Sequence, residues 1–154
     1  MPYATTRQQV ADALWDLASQ TAGITSSSQR FILWDQWSSS LPGMTMLRVP
    51  QGGDERVRQD KGLPILKMRY HILIYTVAPQ ADDVFPDDIM NGMLDALDQA
   101  VKPVGFDLIN NNAQTLGGLV DYCYPLGAVF IDPGETDQKG VAAVPFEMGL
   151  PWIT

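Results

Sequence analysis

The chain has 154 residues, 45% hydrophobic and 18% charged, which supplies a real core for one compact domain and excludes disorder over most of its length. A formal charge of −8 repels phosphate and disfavours general nucleic-acid binding. The lone Cys123 leaves no internal disulfide and fits a reducing compartment, and the longest apolar stretch, Ile72 to Ala78, is far too short to span a bilayer.

Residues Met1 to Gln9 hold no apolar segment of the secretory kind, so the expected location is the cytoplasm that made the chain. Thr6 followed by Gln9 forms a capping-box pattern. Val10, Ala11, Leu14, Leu17 and Ala18 then recur at helical spacing, and Gly23 closes this first helix. Phe31 to Trp37 and Met44 to Val49 read as two short strands joined by Ser38 to Gly43; the alternation of the first is poor, leaving an irregular apolar segment as its alternative. Between Pro50 and Pro64 lies a polar, charged insert that is too long for a tight hairpin and is expected to project as a loop or arm.

The strongest strand signal runs from Leu66 to Val77. Met68, Tyr70, Ile72 and Ile74 share one face; Lys67, Arg69 and His71 share the other, which turns apolar at Leu73, Tyr75 and Val77. A strand of this kind is expected to be central. The second helix opens on Pro86 with Asp87 and Asp88 in its first turn, carries Ile89, Met90, Met93, Leu94, Leu97, Ala100 and Val101 as a stripe, and stops at Lys102-Pro103. Leu119 to Ile131 and Val141 to Met148 then read as an antiparallel pair. Val144, Phe146 and Met148 form the apolar face of the last strand, and Pro145 within it predicts an edge position or a bulge. This order predicts a single α+β domain over 1–154, a mainly antiparallel, mixed sheet with two principal helices packed on one face.

No constellation in the chain asks to be an active site. Cys123 and His71 form the one conceivable Cys–His pair, and Cys123 sits among apolar neighbours where a thiol behaves as a small hydrophobe. Asp82-Asp83, Asp87-Asp88 and the group Asp132, Glu135, Asp137 lack calcium-loop spacing, and zinc would need more His or Cys. Gly117-Gly118 lacks the Lys-Ser/Thr of a phosphate loop and precedes a strand. The expectation is therefore no catalytic residue, no cofactor and no metal. A small hydrolase built on an acidic cluster is the enzymatic alternative.

The segments Arg30-Phe31 to Trp34-Asp35, Gly62-Leu63-Pro64 leading to Leu73-Ile74-Tyr75, Ile89 to Leu97, Gln114-Thr115-Leu116-Gly117-Gly118-Leu119-Val120-Asp121-Tyr122-Cys123, and Val141 to Phe146 follow one another over nearly the whole chain. In that order the chain resembles the small tail-terminator or tail-completion subunits of long-tailed bacteriophages and prophages. The Gln-Thr-Leu-Gly-Gly-Leu-Val run is the most specific. Tyr124-Pro125-Leu126-Gly127 departs from the pattern, where an uninterrupted strand turning into a second is expected.

The resemblance implies a virion protein, present in the host cytoplasm during assembly. It would form a closed, hexameric ring that caps the tail tube, ends its polymerisation and meets the head–tail connector or neck protein. DNA would be passing cargo in an acidic lumen, and no membrane would be involved. A neck or head-completion protein and a tail-tube subunit are the alternatives within the same class. The expected contact residues are Arg48, Asp54, Glu55, Arg56, Arg58 and Arg69, with Val144 and Phe146 on a last strand taken as an edge.

Overall fold

The computed structural model describes residues 5–58, 64–103 and 113–150. Thr6 opens the first helix, α1 (Arg7–Ala18), by the predicted capping box. Its Oγ1 accepts from the Gln9 N–H at 3.2 Å, while Gln9 Oε1 accepts from the Thr6 N–H at 2.8 Å. Val10, Ala11, Leu14, Trp15 and Ala18 are its buried face. The second helix, α2 (Pro86–Val101), starts on the expected proline with Asp87 and Asp88 in its first turn, and buries Met90, Met93, Leu97 and Val101.

Among the described residues, seven strands form one sheet: β1 (Ser26–Ser28), β2 (Gly43–Arg48), β3 (Asp54–Val57), β4 (Ile65–Val77), β5 (Tyr122–Pro125), β6 (Phe130–Asp132) and β7 (Lys139–Leu150). Its spine is the antiparallel pair β4–β7, in register from Leu66 opposite Leu150 to Val77 opposite Lys139. Each spine strand is flanked by an interrupted strand. On the outer side of β4, β2 pairs with residues 70–75 and β3 with residues 65–68; β1 adds a parallel pairing beyond β2. On the outer side of β7, β5 pairs with residues 146–149 and β6 with residues 141–143. The chain is thus the predicted single α+β domain with a mixed, mainly antiparallel sheet.

Alternation along the spine decides which side is core. Leu66, Met68, Tyr70, Ile72 and Ile74 of β4 join Ala142, Val144, Phe146, Met148 and Leu150 of β7 in one cluster with both helices. Among the described residues, the opposite face is covered only in part. Residues 30–42 cross it, and a 3₁₀ turn (Trp34–Gln36) brings Trp34 and Trp37 against the Tyr75 ring at 6.4 and 5.5 Å between centroids. Tyr75 donates its hydroxyl to the Ile32 carbonyl at 2.6 Å.

Four expectations need correcting. Phe31 to Trp37 is no strand; it is the irregular apolar alternative, and its indoles pack on the sheet instead of joining the ladder. Within the insert expected to project, Asp54–Val57 pairs with β4, while residues 59–63 lie outside the described residues. The strand expected over Leu119 to Ile131 is broken into β5 and β6. Finally, β7 is no edge strand. It is paired on both sides along most of its length, and Pro145 faces the break, where four residues (126–129) lie opposite two (144 and 145). The Pro145 carbonyl accepts from the Leu126 N–H at 2.9 Å, so its missing N–H falls within a bulge.

Candidate assembly surface

On the half-open face, a polar cluster forms around Glu147, which alternation in β7 aims away from the helices. Its side chain is buried and fully partnered. Arg69, directly across the ladder, donates to Glu147 Oε1 at 3.0 Å, and the Tyr122 hydroxyl donates to Oε2 at 2.8 Å. Arg69 also donates to Glu55 at 3.0 Å and to the Gly52 carbonyl at 2.8 Å. Burial alone would lower the Arg69 pKa; the hydrogen bonds and charges of Glu55 and Glu147 outweigh it and hold the guanidinium above its ordinary range. Burial, then the bond and charge of Glu147, push the Tyr122 phenol far upward. Tyr122 stacks on Tyr124, with centroids 5.6 Å apart, and lies over Gly149, where a Cβ would strike its ring.

A second ion group ties α1 to the sheet. Asp54 accepts from Arg7 at 2.9 Å and also binds Arg48. Of the expected contact residues, Arg48, Asp54, Glu55 and Arg69 are therefore engaged within the subunit. Val144 and Phe146 are core residues, 3% and 0% exposed, and present nothing to a neighbour. Arg56 and Arg58 are exposed on and just after β3. The reason for the misplacement of Val144 and Phe146 is the central position of β7.

The surface that stands out lies instead along the β5–β6 side. From Tyr124 to Ile131 all eight residues are exposed and none carries a charge; Phe130 is 61% and Leu126 55% accessible. Among the described residues no strand pairs with the outer side of β5 or β6, so this apolar run coincides with an open sheet edge. Behind it, a groove of about 560 Å³ runs between α2 and the bulge, lined by Leu94, Cys123, Leu126, Val129, Ile131 and Val144. On its α2 wall, Asp98 titrates above the usual carboxylate range because burial disfavours its charge and Asp95 repels it. The signal for this surface was present in the sequence as an uncharged run bracketed by Asp121 and Asp132. Reading Leu119 to Ile131 as one strand of an antiparallel pair hid it.

The residues considered for chemistry are dispersed or occupied. Cys123 pairs with Met148 on the helix side of the sheet, whereas His71 pairs with Pro145 on the other side, so the sheet separates thiol from imidazole. Burial pushes the Cys123 thiol up to about 12, which keeps it protonated and unreactive. Asp132 Oδ1 accepts from the Gly134 N–H and Asp137 Oδ1 from the Lys139 N–H, each closing the β6–β7 turn.

Gln114 uses its amide to cap α2, donating to the Val101 carbonyl at 3.1 Å and to the Lys102 carbonyl at 3.3 Å. Leu116, Gly117 and Gly118 then turn in the left-handed region, with φ of 51°, 73° and 90°. The Gly-Gly pair thus serves a turn that fastens the helix end. In comparisons with protein-family models and with curated proteins, nothing matches the chain.

Proposed function

We propose that the chain is a structural virion subunit that assembles with copies of itself into a closed ring, caps a phage tail tube and forms the tail side of the head–tail junction. The reading rests on the resemblance of the Gln114 to Cys123 run and its flanking segments. The observation that carries it is a sheet whose two edges are unlike and, among the described residues, unpaired on their outer sides. One is the serine-rich β1 with the charged β3; the other is the apolar β5–β6 edge. Unlike edges join head to tail, and head-to-tail contacts generate rings when the rotation closes. A net charge of −8 per copy also suits the wall of a DNA conduit, since it keeps the passing duplex from sticking.

Electron microscopy of lysates from a phage lacking only this gene tests the reading. Overlong or ragged tails beside full, unattached heads are the expected result. Tails of normal length that fail to join heads would move the protein to the neck. Infectious particles of normal form would refute a virion role.

A further inference from the structure

We infer that the apolar edge Tyr124–Ile131 of one copy is covered by the β1–β3 side of a second copy, with Arg58 and Arg30 of the second meeting Asp121 and Asp132 of the first. This deepens the ring reading, and rests on it for closure into a ring, though not for the contact itself.

Charge separates the two sides of the molecule. Residues 113–150 hold five acids and one base, Lys139, which is already paired with Asp35. Helix α2 adds Asp87, Asp88, Asp95 and Asp98 with no base. Across the sheet, residues 5–58 are balanced, with Arg7, Arg30, Arg48, Arg56 and Arg58 against Asp12, Asp16, Asp35, Asp54 and Glu55. Arg7 and Arg48 are bound to Asp54, whereas Arg30 and Arg58 are exposed and make no ion pair with a described residue. The apolar run itself is bracketed by Asp121 and Asp132.

The heights along the sheet agree. Asp121 donates its N–H to the Gly149 carbonyl and so stands at the Leu66–Leu150 end; Arg58 follows Val57, which pairs with Ile65, at that same end. Asp132 lies opposite Val141 in the Tyr75 row, and Arg30 follows β1, whose Ser28 lies in the Thr45–Leu73 row. Copies set side by side without inversion therefore bring Arg58 to the end of the sheet that holds Asp121, and Arg30 to the end that holds Asp132. A two-fold contact, apolar edge against apolar edge, would set the antiparallel run on itself and place Asp121 against the partner's Asp132. Like charges would then meet at both ends, which favours the head-to-tail arrangement. Burying Leu126, Val129, Phe130 and Ile131 supplies the association, and the charge pairs supply its direction.

Two variants of the full chain separate the arrangements. Phe130→Asp spoils the apolar edge at an exposed position, and the double variant Arg30→Glu/Arg58→Glu spoils the other side; matching circular dichroism and melting curves establish that both remain folded. By sedimentation velocity and native mass spectrometry, the wild type is expected to self-associate with rising concentration. Each variant alone should associate at least tenfold more weakly, while their equimolar mixture should give a heterodimer and nothing larger, because one intact edge survives on each partner. Self-association of the double variant at wild-type strength, absence of the heterodimer, or a wild type that stays monomeric at every concentration would each overturn the inference. A heterodimer together with normal particles from the gene-deleted phage would keep this contact and refute the tail role. Overlong tails with no self-association would do the reverse.

Discussion

Glu147 shows what a single buried carboxylate costs and returns. It is 6% exposed and holds Arg69 and Tyr122 in one hydrogen-bonded group. Removing one partner from a buried ion pair strands the other. Arg69 keeps Glu55 and stays partly wet, so Glu147→Gln should cost about 2 kcal/mol, short of the full penalty for a dry pair. Urea melts at neutral pH should show a lower midpoint with an unchanged slope.

Tyr75 gives a pH dependence with a definite sign. Burial raises its phenol from 10.0 to about 12, so the folded state holds a proton that the unfolded state releases. Stability should be indifferent to this group below pH 10.0 and should fall as pH rises from there to about 12. The Tyr75→Phe variant should lose less stability over that interval, with Tyr122, Tyr70 and Cys123, whose protonated forms burial also favours, accounting for a remaining decline. Neither tyrosine's role was visible in the sequence, because the partners are a carbonyl and a carboxylate far along the chain.

The elements that could be read from sequence were those whose determinants are local. Thr6 with Gln9 and Pro86 with two aspartates mark helix starts within four residues, and the long alternation of β4 names its own core face. β3 escaped notice because Asp54-Glu55-Arg56-Val57 lacks apolar alternation; it is a strand because β4 offers it an open ladder at residues 65–68. Phe31 to Trp37 misled for the converse reason, being apolar in order to cover a sheet face. The last hairpin offers an element-scale test. Gly134 has φ of 89°, and a Cβ there would approach the Gln138–Gly140 backbone at 2.8–2.9 Å. Gly117 has φ of 73° with open space around it. Gly134→Ala should therefore cost more than about 2 kcal/mol and Gly117→Ala about 1, compared by thermal melts.

For the molecule as a whole, the sheet is strongest at its middle and weakest at its flanks. β4 and β7 are paired on both sides, whereas β1, β5 and β6 are short and open outward. Hydrogen exchange should accordingly be slowest at the β4 and β7 amides and fast in β1, β5 and β6. Under conditions where the chain self-associates, the amides of residues 124–131 should slow while those of β4 stay unchanged.

The same spine also governs how quickly the molecule can be made. β2, β3 and β4 lie close in the chain, and so do β5, β6 and β7, so each half can zip up early. The seam between β4 and β7 closes only after α2, β5 and β6 have all been emitted and looped back, with Val77 meeting Lys139 and Leu66 meeting Leu150. Contacts so distant in sequence demand loop-closure entropy before they return any pairing energy, which places the search for the native state among the slow ones. Until that seam closes, the core faces of both half-sheets are uncovered as well as the Tyr124–Ile131 run. A freshly synthesised copy is then at its stickiest before it has a finished surface to offer, and the aspartates at either end of that run act as its gatekeepers.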